Sequence, residues 1–156
     1  MLKVAICVSE AVPFAKTGGL ADVAGALPYS LKKKGVDSIV IMPGYNFIFN
    51  NNFVFKKDAE NIRVNISSSY VELFDLFSTN RNGINFFFVK NEKFFNRENL
   101  YGTSRGDYRD NYLRFCFFAR AIFKVLENIS YEADILHIHD YHFALATLFL
   151  KDIKNK

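Results

Sequence analysis

The chain has 156 residues, about one domain in length, and its 50% hydrophobic and 17% aromatic content is enough for a substantial core. Its formal charge of +4 comes from 20 basic and 16 acidic side chains. The basic runs (Lys32 to Lys34, Lys56 with Lys57, and the tail residues Lys151, Lys154 and Lys156) form no stripe or recognisable module, which argues against nucleic acid as a partner. No run approaches the ~18 apolar residues of a membrane-spanning helix.

In chain order, residues 2–9 are nearly all apolar, as expected of a buried parallel strand ending at Ser9 and Glu10. A loop with Pro13, Lys16, Gly18 and Gly19 follows. Leu20, Val23, Ala24, Leu27 and Leu31 then recur at helical spacing, with Gly35 as a stop and Pro28 as an expected kink. Residues 38–42 read as a second strand closed by Pro43 and Gly44. This β-loop-α-β unit opens a doubly wound α/β sheet.

The middle is β-rich. Residues 62–67, 70–77 and 84–89 are strand candidates, and Asn82-Gly83 is a hairpin turn before the last. Residues 97–106 read as a loop. A helix is predicted over 107–127, with Asp107 as its N-cap and Tyr108, Tyr112, Phe115, Ala119, Ile122 and Leu126 along one apolar face. A last strand is predicted over 133–138, then a short helix over 142–151. Cys7 and Cys116 sit in apolar patterns and read as reduced, buried thiols. The N-terminus has no signal-peptide cleavage region, so a cytoplasmic location is expected.

Two stretches carry candidate chemistry. Lys16-Thr17-Gly18-Gly19-Leu20-Ala21-Asp22-Val23-Ala24-Gly25 lies between the first strand and the first helix. That crevice binds ligands in open α/β sheets: glycines admit a ligand to the backbone, and the helix N-terminus offers amide donors to phosphate. The spacing is neither that of a dinucleotide fingerprint nor that of a Walker A loop, so a tight turn with an exposed lysine is the competing reading. The second stretch, His137-Ile138-His139-Asp140-Tyr141-His142, contains all three histidines. Its spacing permits a metal-dependent hydrolase as an alternative, although no cysteine or further histidine is there to complete a ligand set.

The first stretch, followed by Gly25-Ala26-Leu27-Pro28 and flanked by Ser9-Glu10, Gly35-Val36-Asp37 and Pro43-Gly44-Tyr45, resembles the N-terminal signature of the bacterial glycogen and starch synthases that use ADP-glucose. The His-Asp string is similar to that family's His-x-His-Asp-Trp-His element, with Tyr141 replacing the usual Trp. Leu100-Tyr101-Gly102, the stretch from Gly106 to Asn111, and Arg114-Phe115 match a third element. The resemblance implies a partial, Rossmann-like N-terminal domain of a GT-B glycosyltransferase with a β-rich insertion, spanning 1–156. It implies retaining glucosyl transfer from ADP-glucose to the non-reducing end of an α-1,4-glucan, with no cofactor or metal. By carry-over, Lys16, Gly18 and Gly19 meet the nucleotide sugar, and Asp22, Tyr101, Asp140 and Tyr141 line the sugar pocket. His137 is expected in the core and His142 as a helix cap. The nucleotide-sugar domain of the family lies C-terminal to these elements, so the isolated chain is expected to be inactive. The alternative is a non-catalytic remnant, or a subunit that pairs with a separate C-terminal half.

Overall fold

The computed structural model describes residues 1–154, with side chains to residue 150; Lys151, Lys154 and Lys156 of the basic tail therefore lie outside the described side chains. Its elements are β1 (Lys3–Cys7), α1 (Gly19–Lys33), β2 (Asp37–Pro43), α2 (Asn46–Phe49), β3 (Lys56–Asn65), β4 (Val71–Arg81) and β5 (Ile84–Lys90). They continue with α3 (Glu92–Phe95), the short pair β6 (Gly102–Thr103) and β7 (Gly106–Asp107), α4 (Asn111–Asn128), β8 (Ile135–Ile138), a 3-10 turn (Tyr141–Phe143) and α5 (Leu145–Lys154).

The main sheet has the order β3-β4-β5-β2-β1-β8. β5, β2, β1 and β8 are parallel, and the β3-β4 hairpin continues the sheet antiparallel beyond β5. The β-rich insertion is thus part of the main sheet. It joins there because Asn82 and Gly83 take positive φ (50° and 79°), the twist a tight hairpin between β4 and β5 requires.

Side-chain alternation divides the sheet into two faces. Val40 and Met42 pair in register with Phe86 and Phe88, so these share a face with Ser38, whose hydroxyl donates to Pro28 O in α1 at 3.3 Å. On this face Phe14 packs on Phe53, Phe86 and Phe88 at 4.9–5.0 Å between ring centroids. The opposite face carries Phe74, which meets Phe117 of α4 at 6.3 Å. One helix therefore covers each face, the doubly wound arrangement. It follows from the connections: β1 steps through α1 to β2 in one direction, and the chain later returns past α4 to β8 on the other side of β1. Where the direction reverses, between β1 and β8, the strand ends leave a crevice.

α1 continues through Pro28 from Gly19 to Lys33, with Lys32 and Lys33 in the last turn, where cations suit the helix dipole. α4 begins at Asn111 rather than at 107: Asp107 pairs with Gly102 in the β6-β7 ribbon, so it cannot be the N-cap. Asp110 takes the capping position, but its carboxylate is held by Arg97 at 2.6 and 2.8 Å. Tyr108 then precedes the helix and Tyr112 falls in its first turn, 76% exposed, beyond the reach of the sheet. The apolar stripe therefore buries Phe115, Ala119 and Ile122 but not its N-terminal tyrosines. Cys7 is fully buried, Cys116 partly, and burial raises both thiol pKa values. Among the described residues no helix is long and apolar enough to cross a membrane.

Candidate functional site

The site grows from the end of β1. After Cys7 the chain stays buried through Val8, Ser9 and Glu10, two polar side chains that no apolar strand needs. Each reaches a different predicted element. The Ser9 hydroxyl and the Tyr101 phenol lie 2.6 Å apart. The Glu10 carboxylate, 3% exposed, accepts from the Thr17 hydroxyl at 2.9 and 3.0 Å and from the Thr17 amide. Glu10 thus fixes the loop that carries Lys16, Gly18 and Gly19. Sequence reasoning places the Ser-Glu pair only within a pattern; a carboxylate straight after an apolar strand is the signal that marks it.

Lys16 and Asp22, six positions apart across the loop and first helical turn, form a two-pronged ion pair at 2.7 and 2.8 Å. Both side chains are half exposed, so the pair is solvated. Gly18 is the N-cap of α1, has no side-chain cap, and leaves the helix's first amides to the solvent side. A Cβ built on Gly18 or Gly19 would meet nothing within 4 Å, whereas one on Gly25 would lie 2.3 Å from Val12 Cγ2. Gly25 is therefore required by packing of the chain. Gly18 and Gly19 border open space.

The other wall comes from the end of β8. His139 extends the ladder, its amide donating to Cys7 O at 3.0 Å, and Asp140 then turns the chain with φ 69° and ψ 163°. That conformation is disfavoured for a residue with a Cβ, at a cost of about 1–3 kcal/mol, and strain of this kind collects at working sites. The Asp140 carboxylate accepts from the Tyr141 amide at 2.7 Å, capping the 3-10 turn.

His142 does not cap a helix as expected: it lies inside the 3-10 turn that Asp140 caps, and α5 begins only at Leu145. Its ring stacks on Tyr101 at 4.8 Å and packs against Phe115 at 4.6 Å. Its Nδ1 is 3.2 Å from Asp140 Oδ2, close enough for an ion pair when protonated but not aligned as a hydrogen bond. Burial holds the His142 pKa below the ordinary imidazole value, with Asp140 opposing. Burial also pushes the Tyr101 phenol up to about 12, so it stays a neutral donor at any ordinary pH.

Tyr141 is exposed, with its ring over His142 at 4.1 Å. His137 is exposed rather than buried in the core: it and Ile135, in register with Ile6 and Val4, lie on the sheet face that α1 covers over β1 and β2, but at the edge strand β8. It stacks on His139 at 4.3 Å. Among the described residues no group of three or more His, Cys, Asp or Glu side chains is arranged to hold a metal ion. The arrangement thus brings Tyr101, Asp140, Tyr141 and His142 together, sets Lys16 and Gly18 on the loop and Gly19 and Asp22 in the first turn of α1, and ties both sets to consecutive residues that follow β1. What it offers chemically is a lysine and helix amides for an anion, beside hydroxyl, carboxylate and aromatic groups suited to a polyhydroxylated ring.

Comparison with known proteins bears on the family and the fold. The family described as the starch synthase catalytic domain matches residues 3–156. The glycogen synthase of Geotalea daltonii is 42% identical over 154 residues, covering 98% of this chain and 31% of that protein. The glycogen synthase of Finegoldia magna is 38% identical over 154 residues, covering 97% of this chain and 31% of the relative. In structure, the catalytic domain of starch synthase IV from Arabidopsis thaliana, bound to ADP and acarbose, superposes with a TM-score of 0.82 at 26% identity, over 97% of this chain and 30% of that one. The chain spans about a third of the length of the relatives it matches. With a family match along almost its whole length and the fold to accompany it, the chain belongs to the starch synthase catalytic domain family.

Proposed function

We propose that this chain is the N-terminal, acceptor-side portion of a retaining glucosyltransferase that extends an α-1,4-glucan from ADP-glucose. The observation that carries the reading is the pairing of the two loops through Ser9 and Glu10. Ser9 holds Tyr101, whose ring stacks on His142 two residues after Asp140, and the adjacent Glu10 holds Thr17 next to Lys16 and the start of α1. Lys16 and the open space at Gly18 and Gly19 take the phosphate side of the nucleotide sugar. Asp22, Tyr101, Asp140 and Tyr141 line the glucosyl and acceptor side, where carboxylate and phenol accept and donate to sugar hydroxyls. Tyr141 offers an exposed ring on which a sugar face packs. The relative bound to ADP and acarbose supports a nucleotide and a saccharide-like molecule as the two ligands.

Stabilising the charge that develops on the leaving diphosphate lowers the barrier to such a transfer more than any other single effect, and the resemblance assigns that role to the domain C-terminal to these elements. Residues 1–156 alone are therefore inactive in this reading. β8, as an edge strand with Ile135 and His137 exposed, favours further strands adding there, from the same polypeptide or from a separate one. A cytoplasmic location accords with these substrates.

Titration of the chain with maltohexaose, followed by amide NMR, tests the acceptor side. Shifts confined to Tyr101, Asp140, Tyr141 and His142 are expected. Saturating shifts elsewhere, or none at millimolar sugar, would remove the acceptor role.

A further inference from the structure

Arg114 is fully buried in α4 and, among the described residues, makes no direct contact with a carboxylate. The nearby acid, Asp110, is taken by Arg97. A guanidinium removed from water and left without a counter-charge in contact is costly, and a helix that only had to pack would carry an apolar residue there. All its hydrogen bonds go to neutral acceptors around one loop. Nε donates to Phe94 O at 2.8 Å, and Nη1 donates to Leu100 O at 3.0 Å and to Asn111 Oδ1 at 2.6 Å. Phe94 lies before the loop, Leu100 is the residue before Tyr101, and Asn111 donates its own Nδ2 to Tyr101 O at 2.7 Å. The Tyr108 amide donates to the same carbonyl at 3.0 Å. The guanidinium also lies over the rings of Tyr108 and Phe115 at 5.0 and 5.3 Å, and Phe115 is the ring against which His142 packs.

We infer that Arg114 is a positioning residue: it pins the segment from Phe94 to Asn111 so that the Tyr101 ring stands between Ser9 and His142. Its fork joins, in one rigid group, the start of the loop, the peptide before Tyr101 and the side chain that holds the Tyr101 carbonyl. A lysine has one nitrogen where these partners need two directions, so it cannot substitute. Any consequence for sugar binding rests on the reading that Tyr101 lines the pocket. The positioning itself does not.

The test reads the ring C–H signals of the three histidines by NMR in the folded chain. His142 stacks on Tyr101 with 16° between ring planes, so its signals report the place of that ring. In Arg114→Lys the His142 signals are expected to move toward their positions in Tyr101→Ala, while His137 and His139 stay in place. Should Arg114→Lys fail to fold, Arg114→Gln decides: it offers donors from a single nitrogen, cannot serve Phe94 O and Leu100 O together, and is expected to move His142 in the same direction. Unmoved His142 signals in the folded variant, or equal movement of all three histidines, would overturn the inference. The pocket reading is tested separately, by the effect of Tyr101→Ala on maltohexaose affinity. Unchanged affinity there sinks the pocket role and leaves the positioning result standing.

Discussion

Replacing Glu10 tests whether a buried carboxylate holds the loop of Lys16. Glu10→Ala removes an acceptor that serves the Thr17 amide and, at 2.9 and 3.0 Å, the Thr17 hydroxyl. Hydrogen bonds to a charged group contribute about 1.5–3 kcal/mol. Thr17 is exposed, so its freed donors find water and part of that loss is recovered. A net destabilisation of about 2 kcal/mol follows, which for a chain of this size lowers Tm by about 4–8 °C. Urea unfolding is the assay, with the midpoint falling and the slope m unchanged. A double-mutant cycle with Thr17→Ala isolates the hydroxyl, and a coupling of about 1 kcal/mol is expected. Glu10→Ala within about 0.5 kcal/mol of the parent, or a coupling near zero, would refute the claim that this contact holds the loop.

Lys16→Met is expected to change stability by less than about 1 kcal/mol, because the Lys16–Asp22 pair is half exposed. In a full-length synthase carrying this chain it should weaken ADP-glucose binding about tenfold or more, as measured by KM. Gly18→Ala is expected to leave the unfolding midpoint nearly unchanged while impairing donor binding, since its new Cβ enters open space. Gly25→Ala, with Val12 Cγ2 at 2.3 Å, should cost about 1–3 kcal/mol in the same unfolding assay. Asp140→Gly relieves the backbone at φ 69° and should unfold no more easily than the parent, yet lose affinity for maltohexaose. Acid sensitivity has a defined sign. Burial lowers the pKa of His139 and His142, so the unfolded chain binds more protons just below the ordinary imidazole pKa of ~6.5. Stability is therefore full above that pH and falls as pH drops through the lower folded values. The drop between pH 7 and 5 should shrink in His139→Asn/His142→Asn, measured by urea unfolding.

The parallel strands were legible because their apolar runs have no other reading, and the Asn82-Gly83 turn because its backbone demands those residues. The place of the Lys16 loop at the end of β1 followed from the β-loop-α-β unit, whereas the switch point needed the position of β8 beside β1. What the sequence concealed lies at element ends. Helical periodicity ran on through Tyr108 and Tyr112, and it carries no mark of where the sheet beneath stops, so a stripe drawn as buried emerges into solvent. Asp107 looked like a cap because a ribbon of two-residue strands leaves no periodic signal. His137 looked like core because strand alternation says which residues share a face but not whether a helix covers it. Glu10 and Arg114 were hidden for a different reason: their roles depend on partners that only folding supplies, Thr17 for one and the Leu100 carbonyl for the other.

The most direct test of the functional reading is transfer of labelled glucose from ADP-glucose into glycogen. It should be run with a full-length protein carrying this chain at its N-terminus, with its Asp140→Ala variant, and with residues 1–156 alone. Incorporation by the first and none by the other two is expected. Incorporation by residues 1–156 alone, or undiminished incorporation by Asp140→Ala, would contradict it.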